Sequence, residues 1–199
     1  MSTKTSETKK KIIEAAIELF EKEPVEEVSI SEICKKAGVS STAFYYNFKN
    51  KETLLNETVL YGQEQISSKE LLTELLACKN YWEQIFVLHT MLTASSVKFG
   101  PDLIRHFYIS EIKNKDLWSH SEGFAEIADM LADVISKAQN AGEIKNTSDP
   151  MELAVSAMQL IEALSVYRSV YPEEVEVYSY YRKKLETIYD VREDLRCKD

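Results

Sequence analysis

The chain has 199 residues and a formal net charge of −9, enough for one helical domain of fair size or for a small unit joined to a larger body. No run of about 18 apolar residues occurs, and the N-terminal MSTKTSETKKK holds no apolar segment. Neither a membrane span nor a secretory signal is therefore expected, and the protein is expected to be cytoplasmic. Cys34, Cys78 and Cys197 are isolated in sequence without a CxxC pair, which argues against a disulfide framework or a thiolate zinc site.

In chain order, residues 8–20 (TKKKIIEAAIELF) read as a first amphipathic helix, and Pro24 punctuates the chain after Phe20. Ser29 with Glu32 forms a capping box that opens a second short helix, whose inward face is Ile30 and Ile33. Gly38 stops it, because glycine tolerates the positive φ of a tight turn; Ala37 lets two helices approach, and Val39 plugs the corner. Ser40 caps a third helix. On that helix Phe44 and Phe48 lie four apart on one side with Val39, while Ser41 with Tyr45 and Thr42 with Tyr46 pair on the other. Burying the phenylalanines leaves hydroxyls and a tyrosine pair facing outward, a composition suited to phosphates and base edges.

With the first helix before it and FKNKETLL (residues 48–55) after it, this helix-turn-helix closely resembles the DNA-binding domain of TetR-family transcriptional regulators. The matching positions are Ile13, Ala15, Ala16 and Phe20; Ile33, Ala37, Gly38, Val39 and Ser40; Phe44, Tyr45 and Phe48; and Lys51 with Leu54. Four positions depart from the family pattern: Cys34 stands for alanine, Ala43 for threonine, Asn47 for histidine or tyrosine, and Pro24 for a glycine. Loss of the threonine hydroxyl at Ala43 shifts the expected phosphate contacts to Tyr45, Asn47 and Lys51. The full set of expected DNA contacts is Ser31, Ser41, Thr42, Tyr45, Tyr46, Asn47 and Lys51.

Residues 1–55 hold nine lysines and nine glutamates, so the whole excess of acid lies in the rest of the chain. Binding to a duplex then needs a local basic patch, expected on Lys9 to Lys11, Lys35, Lys36, Lys49 and Lys51. The expected division is a DNA-binding domain over 1–50 and an effector-binding and dimerisation domain over 51–199.

Asn50 caps a fourth helix reaching the Ser67-Ser68 pair, and residues 69–99 keep helical spacing as one further helix. Gly100-Pro101-Asp102 then ends one helix and opens another. Asn140-Ala141-Gly142 closes a helix containing Ile127, Leu131 and Ile135, and Asp149-Pro150 with Glu152 starts the next. The last helix carries Tyr178, Tyr181, Leu185, Ile188, Arg192 and Leu195 as a seam. With few glycines and no sustained alternation, the chain reads as all-α with about nine helices.

For the last two helices, pattern alone leaves intramolecular core and subunit interface open. The resemblance implies a four-helix dimer interface, for which Ala157, Ile161, Leu164, Tyr178, Tyr181, Leu185 and Ile188 are the candidates. The middle helices cluster Tyr81, Trp82, Phe86, His89, Phe107, Tyr108 and Trp118, where the family keeps an effector cavity. Asp102 with His106 and Asp116 with His120 sit four apart, yet no further ligand completes a metal site. No nucleotide-binding or nucleophile-elbow motif occurs, so no catalytic residue, metal or cofactor is expected. The resemblance implies a homodimeric regulator that binds a near-palindromic operator, a repressor released by a small molecule. The alternatives are an architectural or adaptor protein of the same fold without effector, and a helical enzyme or carrier.

Overall fold

The computed structural model describes residues 7–64, 68–98, 100–114, 122–172 and 177–197, which form ten α-helices and no strand. The first three are α1 (Glu7–Phe20), α2 (Ile30–Ala37) and α3 (Ser41–Asn47), and α4 (Lys51–Glu64) leads into the body. Local chemistry sets their limits. The Glu32 N–H donates to Ser29 Oγ at 3.2 Å and the Ser29 N–H to Glu32 Oε2 at 2.8 Å, completing the capping box. Gly38 takes φ +67°, and the Val39 N–H reaches back to the Cys34 carbonyl, closing α2. Ser40 accepts from the Ala43 N–H and Asn50 from the Thr53 N–H, so α3 and α4 start where the sequence places them.

The body holds α5 (Ser68–Ala77), α6 (Tyr81–Lys98), α7 (Gly100–Asn114), α8 (Glu122–Asn140), α9 (Pro150–Val170) and α10 (Val177–Ile188). Two expectations need correction. The helix expected over 69–99 is two helices, because Asn80 Oδ1 accepts the Glu83 N–H at 2.8 Å while Glu83 Oε2 accepts the Lys79 N–H at 2.7 Å. This cap starts α6 afresh and raises the count from nine to ten. The last helix also stops short of Leu195. At Asp190, φ turns to +46°, and the chain pairs with the α8–α9 connection: Lys145 donates to the Asp190 carbonyl and Arg192 to that of Glu143. Residues Glu193–Leu195 form only a 3-10 turn.

Two apolar cores result. In the first, Ile12, Ile13, Phe20, Ile33, Phe44 and Phe48 pack with Leu54 and Val59 of α4 and with Leu103, Ile104 and Phe107 of α7. The three-helix unit is therefore seated directly on the body through α4 and α7. In the second, Trp82 and Ile85 of α6 pack with Leu131 and Ile135 of α8, Met158 and Ile161 of α9, and Leu185 and Tyr189 near the C-terminus.

His89 lies inside the second core, only 1% exposed, with Nε2 at 2.7 Å from the Tyr189 hydroxyl. Burial disfavours the imidazolium and lowers its pKa from 6.5 to about 3. The unfolded chain thus binds a proton that the fold does not. Stability from this residue is complete above pH 6.5 and falls toward pH 3, by about 1.4 kcal/mol per pH unit at most. Urea melts of the wild type at pH 7.5 and 5.5 should differ by this contribution, and His89→Gln, which keeps a polar partner for Tyr189 but does not titrate, should remove it. An unchanged pH dependence in the variant would contradict a neutral buried His89.

Candidate nucleic-acid interface

The third helix is amphipathic in a way that decides which face can meet another molecule. Phe44 and Phe48 are buried, with ring centroids 5.6 Å apart, and hold α3 to the first core. Ser41, Thr42, Tyr45 and Tyr46 face solvent, with Tyr46 90% exposed and Tyr45 58% exposed. Ser31 on α2 is exposed as well. A large aromatic ring left almost wholly in water beside two hydroxyls is poor packing but a good reading surface, since phenol and hydroxyl groups both donate and accept hydrogen bonds.

Two expected contacts behave differently. Asn47 is half-buried, and its Nδ2 donates to the Ala43 carbonyl at 2.7 Å within its own helix. Lys51 is turned inward, which corrects its expected role on a phosphate. Its ammonium donates to the Val28 carbonyl at 2.5 Å and also to that of Val25, on the loop between α1 and α2. Burial lowers its pKa, against the opposing pull of Glu26, Asp102 and Glu32. The sequence could not show this, because the two carbonyls lie 26 and 23 residues away.

The expected basic patch is largely neutralised within the chain. Lys9 pairs with Glu57, Lys10 with Glu14, Lys11 with Glu7 and Lys36 with Glu18. Lys35 and Lys49 are exposed and make no ion pair among the described residues. They are the cations best placed to answer phosphate charge.

This geometry coincides with a family-wide pattern. Residues 12–58 match the family model described as bacterial regulatory proteins, tetR family. Over these residues the chain carries the DNA-binding-domain pattern of the TetR family. The matched region runs from α1 into the first turns of α4, so it includes Lys51 and the loop that Lys51 ties. The HTH-type transcriptional regulator AcrR of Shigella flexneri is 37% identical over 65 residues, which is 33% of this chain and 30% of the relative's own length. Two solved structures share the fold over nearly the whole chain. A putative TetR-family transcriptional regulator from Rhodococcus sp. gives a TM-score of 0.63 at 19% identity, covering 92% of this chain and 98% of that one. The transcriptional regulator FadR from Bacillus subtilis, in complex with stearoyl-CoA, gives 0.58 at 16%, covering 90% and 97%.

In the body the seven effector candidates do not form one wall. Trp82 and His89 are closed inside the second core against Tyr189, and Phe86 is half-buried beneath the Arg182 guanidinium at 4.9 Å. Tyr81 is at the surface, and Trp118 lies outside the described residues. Phe107 belongs to the first core. Tyr108 packs beside it, with its hydroxyl directed toward Ser165 of α9; burial and the nearby Glu162 and Glu111 carboxylates raise its pKa. Ser165 also meets the Tyr181 hydroxyl at 3.4 Å, and Asn56 of α4 donates to Ser110 of α7 at 2.8 Å. This row of polar groups between α4, α7, α9 and α10 was missed in the sequence, where Ser165 reads only as a small residue in an apolar stripe.

The interface candidates also need correction. Ala157, Ile161, Tyr181 and Leu185 are buried within one chain, while Leu164 and Ile188 pack partly buried against the same core. The side chain of Tyr178 lies outside the described residues. An apolar seam fixes which residues are covered but not whether the cover is intramolecular, and here α6, α8 and α9 supply it. The metal pairing of Asp102 with His106 also dissolves. Asp102 accepts the Val25 N–H and Arg105, and His106 faces Glu26 at 3.6 Å; no group of potential ligands assembles among the described residues. Asp116 and His120 lie outside the described residues. No helix among the described residues is long and apolar enough to cross a membrane.

Lys51→Ala should lower the melting temperature and leave the salt dependence of DNA binding unchanged, because the lost contacts are internal. Lys49→Ala should leave stability intact and reduce the slope of log affinity against log salt by about 1. Fluorescence anisotropy of a labelled duplex over a salt series, with thermal melts in parallel, separates the two; the opposite pattern would return Lys51 to the phosphates.

Proposed function

We propose that the chain is a homodimeric, ligand-responsive regulator of transcription that represses by holding a near-palindromic operator. The observation that carries this reading is the exposed face of α3, with Ser41, Thr42, Tyr45 and Tyr46 outward over a phenylalanine anchor, inside a TetR-family domain. Residues 1–50 act as the DNA reader and 51–199 as the effector-binding and dimerisation body, working in the cytoplasm. Paired readers meet successive major grooves about 34 to 36 Å apart.

The dimer face is the outer stripe of α9. Ala163, Val166, Tyr167 and Val170 are exposed at helical spacing, and the Tyr167 ring packs at a tilt against Tyr171 with centroids 5.0 Å apart. Exposed apolar residues in a row along a helix suit packing against a copy of the same stripe.

The effector is a neutral or cationic molecule with hydrogen-bond donors. Support comes from the interior between α4, α7 and α9, which holds the Glu111 carboxylate at 7% exposure and a buried Asn56 Oδ1 without a hydrogen-bond partner. Acceptors of this kind favour a donor-bearing guest. FadR, whose structure holds stearoyl-CoA, shares the fold; an acyl anion here would meet carboxylates first.

Selection from a random duplex pool should yield an inverted repeat, and Thr42→Ala or Tyr46→Ala should alter the selected bases. Val166→Glu and Val170→Glu should give folded monomers by light scattering, with operator affinity reduced at least ~10-fold, since a dimer binds two half-sites and a monomer one. Intact dimers in both variants would remove the α9 stripe from the interface, and no selected sequence at all would remove the regulator reading.

A further inference from the structure

Helices α4 and α7 are tied at two levels. At the reader end, Asp102 on α7 accepts the Val25 N–H at 2.8 Å, while Lys51 on α4 donates to the carbonyls of Val25 and Val28. Farther along, Asn56 joins Ser110. Beside these ties and the apolar seam of Leu54, Leu103 and Ile104, the surface between the helices is indented by an open cleft of about 310 Å³. Small-molecule sites begin at roughly 300 Å³. Val25 and Leu55 are buried on the cleft's protein side, and Ile109 of α7 lines it while 42% exposed. His106, Ile109 and Lys113 share one face of α7 at i, i+3 and i+7.

The charges around this cleft are not all spoken for. Lys51 is committed to the loop carbonyls, with the Glu26 carboxylate close by. Glu52 on α4 and Lys113 on α7, opposite in sign and on the two helices that form the cleft, are exposed and make no ion pair among the described residues. A guest with a single charge would answer one of them and leave the other facing it unmatched. A guest with both charges and an apolar group answers the whole lining.

We propose that this cleft is a second small-molecule site, distinct from the effector site in the body, which takes an amino-acid-sized zwitterion with an apolar side chain. The ammonium lies against Glu52, the carboxylate against Lys113, and the side chain on Val25, Leu55 and Ile109. Such a guest touches the α1–α2 loop, α4 and α7 together, so its binding favours the angle between reader and body that forms this cleft. That consequence rests on the regulator reading above; the binding does not, and it is tested without DNA.

The experiment is calorimetric titration of the full chain with L-phenylalanine. Expected is one site per chain with a dissociation constant of roughly 1 mM or tighter. Glu52→Gln and Lys113→Ala should each weaken binding about tenfold, the scale of a lost hydrogen bond to a charged group. Phenethylamine and phenylacetate, each lacking one charge, should bind the wild type weaker by a similar factor. If Glu52→Gln does not fold, Lys113→Ala at the exposed end of α7 carries the test alone. No heat of binding up to ~10 mM, binding that Lys113→Ala leaves unchanged, or phenethylamine binding as tightly as phenylalanine would each overturn the proposal.

Discussion

The posture of the reader depends on the backbone of one short loop. Between α1 and α2 the chain must turn without helical hydrogen bonds, and buried main-chain groups there need partners from elsewhere. Asp102 satisfies the Val25 N–H, and the Lys51 ammonium satisfies two carbonyls of the same loop. One partner comes from the body and the other from the connecting helix, so the loop that carries α2 and α3 is fixed to both. Holding a partly buried ammonium this way costs desolvation, and the neighbouring carboxylates of Glu26, Asp102 and Glu32 offset part of it. The apolar anchors Leu103, Ile104 and Phe107 sit directly behind and make the seat firm.

How much of this was legible in the sequence follows from the range of each interaction. The caps at Ser29, Ser40, Asn50 and Asp149 are contacts over two or three residues, and all four form in the structure. The break before α6 was equally local, and the Asn80 and Glu83 pair announces it; uninterrupted apolar spacing from Leu72 to Ile85 hid it. The inward turn of Lys51 and the Asp102 tie span 23 to 77 residues, and no local pattern encodes them. Apolar periodicity marked Ile161 and Leu185 as covered positions, which they are, but periodicity carries no information on whose side chains do the covering.

The body shows the same limit in its polar groups. Aromatic density drew attention to Trp82 and His89, which close the second core, while the buried polar row lies on other faces of α4, α7 and α9. Serines and an asparagine at helical spacing look like surface residues until the fold encloses them. Their enclosure is what separates an interior able to recognise a guest from one that only packs.

For the regulator proposed above, the internal pairing of the reader's lysines bears on how a duplex would be searched. Four of the lysines on α1 and α2 are already matched by glutamates of the same chain. Few counterions are then displaced when the reader touches random duplex, and nonspecific residence is short. Encounters end quickly unless the hydroxyls and tyrosines of α3 find their bases. In that proposed regulator, weak nonspecific attraction favours short, frequent encounters over long residence on random sequence.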